Sequence, residues 1–178
     1  MTFGDRVVGA LKLDPNAFED VERDPTAIGQ AIGVILLGAI SVGIGNIYWG
    51  GFSGIISGAV TSLIGMIVTS AIIWLVGTKL MPEPTTKADF PETLRVLGFA
   101  SAPYLLGIIT IIPILGWLLL FLVWLWYLAA LVVAVRAVLD YSTIGKAVVV
   151  VLIAWVIGLI LSLLIIGPLI GARMMMAS

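Results

Sequence analysis

The sequence has no cysteine and no histidine. That removes disulfides, thiolate nucleophiles, Cys or His metal sites and histidine proton switches. Charge is scarce too. Only 11% of the residues are Asp, Glu, Lys or Arg, against about 25% in an average soluble domain. The scarcity is also uneven. No Asp, Glu, Lys or Arg lies between Asp24 and Lys79, between Arg95 and Arg136, or between Lys146 and Arg173. A helix needs about 20 apolar residues to cross the hydrocarbon core of a bilayer. The first two gaps each hold two spans and the third holds one, which gives an all-α polytopic membrane protein with five transmembrane helices.

The same absences limit the chemistry. Away from their ends the spans carry no Asp, Glu, Lys, Arg or His, and such residues usually mark ion paths and proton relays. A proton-coupled pump and a charged-substrate carrier are therefore disfavoured, as is an intramembrane aspartyl or His-dependent enzyme. Gly54-Ile55-Ile56-Ser57-Gly58 lacks the elbow pattern of a serine hydrolase. No phosphate loop, zinc spacing or dinucleotide fingerprint is present. No catalytic residue, metal site, cofactor or nucleic-acid partner is expected, and the chain reads as a non-enzyme.

What is present divides the chain into a juxtamembrane segment, 1–25, and a membrane domain, 26–178. Phe3, Val7, Val8 and Leu11 recur at helical spacing. They predict a short amphipathic N-terminal helix, either lying on the membrane surface or packed on the other helices. Asp14-Pro15 and Asp24-Pro25 each place an N-cap before a proline at the first helical position. Asp14 thus opens a short acidic helix with Glu19, Asp20 and Glu22, and Asp24 opens the first span. Those carboxylates read either as a metal or partner site or as a solvated face. The spans are expected at about 27–45, 54–80, 93–112, 117–139 and 146–170, from the apolar runs and their breaks. Asn46, Tyr48, Trp49, Gly50 and Gly51 form the first outer turn, and Pro103 kinks the third span. Pro113 to Gly116 makes a tight hairpin, and Ser142 caps the fifth span.

Small residues form ridges. Gly54, Gly58 and Ser62 repeat every four residues in the second span, as do Gly29 and Gly33 in the first and Ala154, Gly158 and Ser162 in the fifth. Small side chains at this spacing let helices approach closely in lipid. The ridges serve either packing within one bundle or a dimer face. Trp124, Trp126 and Tyr127 fall near mid-membrane, where their N–H and O–H groups need partners.

With five crossings, Arg6, Lys12, Arg23, Lys79, Lys87, Arg95, Arg136 and Lys146 fall on one side, and Arg173 alone on the other. Lys and Arg accumulate in cytoplasmic loops. The N-terminus is thus expected inside and the C-terminus outside. Nearly all charge lies on the inner side, so the inner segments are the expected interaction surface, with Glu19, Asp20, Glu22, Arg95 and Arg136 as candidate partner or lipid contacts.

The stretch Phe90-Pro91-Glu92-Thr93-Leu94-Arg95-Val96-Leu97-Gly98-Phe99-Ala100-Ser101-Ala102-Pro103-Tyr104-Leu105-Leu106-Gly107 resembles the Yip1 domain family. So do Ile112-Pro113-Ile114-Leu115-Gly116, Tyr141-Ser142-Thr143-Ile144-Gly145-Lys146-Ala147 and the proline-containing Leu13-Asp14-Pro15-Asn16-Ala17-Phe18. The order and spacing of these stretches carry the resemblance. It implies a five-span membrane domain and no catalytic residue. Eukaryotic members look to bind Rab-type small GTPases in vesicle trafficking. The short segment before the first span is closer to the prokaryotic members and implies a multi-pass protein of the prokaryotic plasma membrane. Two functions follow as expectations. One is a scaffold or adaptor organising membrane proteins or lipids, with other membrane proteins, lipids or itself as partners. The other is a transporter or channel for a small neutral solute, or an accessory subunit of a larger complex. Gln30, Asn46, Thr61, Thr69, Ser101, Tyr104, Thr110 and Ser162 would then form the polar path.

The absence of native cysteine makes the topology testable. A lone cysteine at Ser178 is expected to react with an impermeant label from outside only, and one at Thr85 from the cytoplasm only. Labelling of both from one side refutes an odd number of spans.

Overall fold

A computed structural model describes residues 1–112 and 115–176, without the side chains of Trp49 and 165–176. The described residues contain helices and no strands. The helices are α1 (Phe3–Leu11), α2 (Pro15–Arg23), α3 (Ile28–Gly45), α4 (Ile47–Leu75), α5 (Phe90–Ala100), α6 (Gly116–Val138) and α7 (Ile144–Met176). A 3-10 turn at Pro25–Ala27 leads into α3, a π-turn at Val76–Leu80 ends α4, and a 3-10 segment at Ala102–Ile111 continues α5. Five stretches are long and apolar enough to cross a membrane: Pro25–Gly45, Gly50–Leu80, Phe90–Ile111, Gly116–Val138 and Ile144–Leu164. These are the five expected spans with ends shifted by a few residues. The hairpin at Pro113 and Ile114 lies outside the described residues, as do the tail residues Ala177 and Ser178 and the side chain of Arg173.

Local chemistry sets the helix ends. Asp14 and Asp24 accept hydrogen bonds from the N–H groups of Asn16 (3.0 Å) and Thr26 (2.9 Å), each ahead of a proline. Asp89 and Glu92 form a reciprocal capping box on α5 (2.7 and 2.9 Å). Gly51 adopts φ 57°, ψ −166°, which breaks α4 near its start. This is glycine-only backbone, and it places the turn where the sequence predicted one. Ser142 does not cap the last span. Its N–H and hydroxyl point to Glu83 instead, and α7 begins at Ile144.

The third span is the hub. It is 61% buried, against 22–28% for the other four. It is also broken rather than merely kinked. Pro103 has no N–H, and its ring clashes with the carbonyl four residues earlier, so the α-helix stops at Ala100. Ser101 donates its hydroxyl to Gly98 O (2.6 Å), and a ten-residue 3-10 segment follows. Such long 3-10 runs are uncommon. Here α3 supports it: the Ser41 hydroxyl donates to Leu105 O and accepts from Ile108 N (both 2.8 Å). A Cβ on Gly107 would strike the Val42 backbone, and one on Gly45 would strike Thr110 and Gly107. One on Gly38 would sit 3.1 Å from Tyr104 Cβ.

The N-terminal helix packs on the bundle. Gly9, Ala10 and Arg6 of α1 are buried. Phe3 meets Phe99 edge-on at 6.2 Å, and Trp126 donates its indole N–H to Leu11 O (2.9 Å). Trp126 lies about 18 Å along α6 from Val138, at 1.5 Å per residue. Thus α1 rises beside the spanning helices, and it supplies the partner that the Trp126 N–H required. Arg6 lies off the apolar positions Phe3, Val7, Val8 and Leu11, yet it is turned inward.

Of the two uses expected for the glycine ridges, close packing within the bundle is not made at these positions among the described residues. No atom lies within 4 Å of a Cβ built on Gly29, Gly33, Gly54, Gly58 or Gly158. Ser62 lines an open groove, and Ser162 donates to Leu159 O of its own helix. Among the described residues these faces meet no other helix at close range. The tight approaches occur at Gly9, Gly38, Gly43, Gly45, Gly77, Gly98, Gly107 and Gly116. Spacing identifies a smooth face, but the opposing helix decides whether that face is used.

Gly107→Ala is expected to destabilise the fold by about 1–3 kcal/mol through overpacking against α3, read as a lower melting temperature in detergent. Gly58→Leu, which enters open space, is expected to leave that temperature unchanged. A comparable drop for both would show that the α4 face is packed.

Candidate functional site

Two features stand out: a groove within the spans and a polar layer at the charged end. The groove has a volume of about 410 Å³. One wall is the ridge of α4, with Gly50, Gly54, Gly58, Ser62 and Gly65. The other is α3, with Gly38, Ala39, Val42 and Asn46. Ser101 and Tyr104, at the break in the third span, and Tyr127 of α6 complete the lining. The Tyr104 and Tyr127 rings lie 5.0 Å apart. Irregular backbone at membrane depth is tolerated where it is buried in protein or lines a cavity. Interrupted spans also tend to build the binding sites of membrane proteins. Thr69 and Tyr127 also line a second cavity, which continues past Ile72 and Ile73 toward α7, while Val76, nearer the charged end, is packed into the core.

Four of the eight polar candidates, Asn46, Thr69, Ser101 and Tyr104, meet in this groove. The others lie elsewhere. Gln30 accepts from Arg6 (2.9 Å), Thr110 donates to Gly107 O (2.8 Å), and Thr61 is exposed. Ser162 lines the second cavity, of about 370 Å³ between α4, α6 and α7, together with Gly158.

The polar layer is centred on Arg6, which is 5% exposed. It donates to Asp20 (2.7 Å), Asp24 (2.7 Å) and Gln30 (2.9 Å), tying α1 to α2 and to the start of α3. Hydrogen bonds from the Thr26 hydroxyl and then from Arg6 hold the Asp24 carboxyl at about 2. The bond from Arg6 likewise lowers Asp20. Arg95 is 5% exposed too, and it donates to Glu22 O (2.7 Å), while its Nε has no partner among the described residues. A second clasp joins the loop after α4 to the α6–α7 turn. Glu83 accepts from Ser142 N (3.0 Å) and pairs with Lys146 (3.3 Å). Thr85 and Thr86 donate to Asp140 O and Leu139 O, and the Tyr141 hydroxyl donates to Met81 O (2.9 Å), with Gly77 O at 3.2 Å as the other acceptor in reach.

The five charged candidates thus separate. Asp20 and Arg95 are committed to holding α2 on the bundle. Glu22 gives its carbonyl to the same contact, and its carboxyl is half-buried. Glu19 is exposed and pairs with Arg23 at i,i+4 (2.9 Å), a weak contact in water. Arg136 is exposed and donates only to Tyr141 O (3.3 Å) among the described residues. Glu19 and Arg136 line one cleft. The sequence reading missed Arg6, Glu83 and Tyr141 as organising residues. Their only advance signal was position, a cation or hydrogen-bonding group beside a span end, which many residues here share.

The sequence model of the Yip1 domain matches residues 8–166, from within α1 into α7. No curated protein and no solved structure matches.

Glu22 generates a pH dependence. Burial first, then the nearby Asp140 and Glu92 carboxylates, push its carboxyl from 4.5 to about 7. The folded chain therefore holds a proton that the unfolded chain has released between these values. Stability from this group is full below 4.5, falls as pH rises to about 7, and is flat above it. Asp24 acts oppositely, but its stabilisation is lost only as pH falls towards about 2. Glu22→Gln should melt higher than the parent above pH 7 and match it below pH 4.5. Equal melting temperatures across that window would refute the assignment.

Proposed function

The chain belongs to the Yip1 domain family, and on that premise we propose that it is a non-enzymatic membrane scaffold whose groove along α4 receives a transmembrane helix of a partner. The observation that carries this reading is the unoccupied ridge. Gly50, Gly54 and Gly58 repeat at helix-association spacing and face open space. Helices in lipid gain little from apolar burial and associate by close backbone approach across small residues. A smooth face that no helix among the described residues covers is suited to a helix from another protein or from a second copy. The charged end, on this reading, is cytoplasmic in a multi-pass plasma-membrane protein, supported by the bias of Lys and Arg.

A second reading, a carrier for a small neutral solute, draws on the convergence of Asn46, Thr69, Ser101 and Tyr104 on the groove. It is weaker because neither this groove nor the cavity beside it is lined by any residue of the charged end, and Val76 between them and that end is packed in the core.

Gly58→Cys carrying a photoactivatable crosslinker, in native membranes, distinguishes these readings. The scaffold predicts a discrete protein adduct at Gly58 that is absent at lipid-facing Leu152→Cys; the adduct's mass tells a second copy from another protein. Gly58→Leu should abolish a partner's co-purification while the melting temperature holds. Adducts at Gly58 no different from those at Leu152 would refute the scaffold. Solute flux by the pure protein in vesicles would favour the carrier.

A further inference from the structure

The cleft that holds Glu19 and Arg136 is separate from the groove. It has a volume of about 470 Å³ and lies between α2 and the α6–α7 turn. Ligand pockets typically measure about 300–1,000 Å³. Val133 and Ala137 of α6 form its apolar side, Arg136 stands beside them, and Asn16, Glu19 and Asp140 form its polar side. Arg136 lies two residues before the end of α6, a helix whose 23 residues span about 35 Å, slightly more than the hydrocarbon core. The cleft therefore sits where a membrane changes from chains to headgroups, and its lining changes in the same order.

Its charges are incompletely used. The Arg136 Nε donates to Tyr141 O, which leaves the two terminal nitrogens without a hydrogen bond among the described residues. The Asp140 carboxylate makes no hydrogen bond or ion pair among them, although its own backbone is fixed at φ 51° and its carbonyl is taken by Thr85. Glu19 has only its exposed pair with Arg23. A simple anion drawn to Arg136 would meet two carboxylates. A group that is negative near the apolar side and positive further out meets opposite charge at both ends.

We propose that this cleft binds the headgroup of a zwitterionic lipid, with Arg136 on the phosphate and Glu19 and Asp140 on a primary ammonium. A protonated amine offers N–H donors to carboxylates, and charge-assisted hydrogen bonds are the strong ones. A trimethylated amine has none. Phosphoethanolamine lipids fit, while phosphocholine and phosphoglycerol lipids each lack one half of the match.

The test uses the whole purified chain with an equimolar mixture of phosphoethanolamine, phosphocholine and phosphoglycerol lipids in mixed micelles, and native mass spectrometry counts the bound lipid. The phosphoethanolamine lipid should be retained preferentially, and Arg136→Gln should weaken it roughly tenfold, as expected for loss of one charged hydrogen bond. The double variant Glu19→Gln, Asp140→Asn should lose the preference over the phosphocholine lipid. Asn tolerates left-handed backbone, so this variant keeps the turn at residue 140, and its melting temperature checks that. Equal retention of all three lipids by the parent chain, or an unchanged preference in the folded double variant, overturns the proposal. Displacement of the lipid by soluble phosphoethanolamine at equal concentration also overturns it, by assigning the cleft to a free phosphate ester.

Discussion

Within a bilayer, a backbone N–H or C=O that loses its helical partner has no water to replace it, and each unsatisfied group costs several kcal/mol. Pro103 creates that problem at the centre of the third span. The chain answers it with the Ser101 hydroxyl on Gly98 O, a run of 3-10 hydrogen bonds, and the Ser41 hydroxyl bridging Leu105 O and Ile108 N. That bridge requires α3 to lie against the 3-10 segment, and Gly38, Gly45 and Gly107 permit it by having no side chain at the contact. With α3 drawn toward the broken span, α4 meets it closely at Gly43 and Ile55. The ridge of α4 beyond that contact is left as one wall of the groove. Tyr104 lines the same groove because it follows the break directly.

The charged end is held by a different logic. Burying a charge is costly unless it is paired and hydrogen-bonded, and Arg6 at 5% exposure has three acceptors on two other elements. Removing any one would leave a buried cation short of partners, so α1, α2 and the start of α3 are fixed together. The clasp of Glu83, Thr85 and Thr86 on the α6–α7 turn does the same across the bundle. Arg6, Asp20, Asp24, Glu83, Arg95 and Lys146 are therefore spent on internal joints. Glu19, Arg136 and Asp140, which line one cleft, are not.

Some of this was legible in the chain. Five uninterrupted apolar stretches suffice to give five spans, because the bilayer imposes one length on every crossing helix. The caps at Asp14 and Asp24 and a distortion at Pro103 were legible too, since each follows from the covalent chemistry of a few adjacent residues; that the distortion is a full break was not. The order of motifs from Leu13 to Ala147 was enough to indicate the family that residues 8–166 match.

The tertiary structure alone decided what faces what. Gly58 and Gly107 are both glycines in apolar segments, yet one opens on a groove and the other touches Val42. Arg6 and Arg136 are both cations near a span, yet one is buried among acceptors and the other lines a cleft. A local pattern fixes which residues share a face of one helix. Whether that face is covered depends on a second element tens of residues away, and nothing in the local pattern encodes that distance.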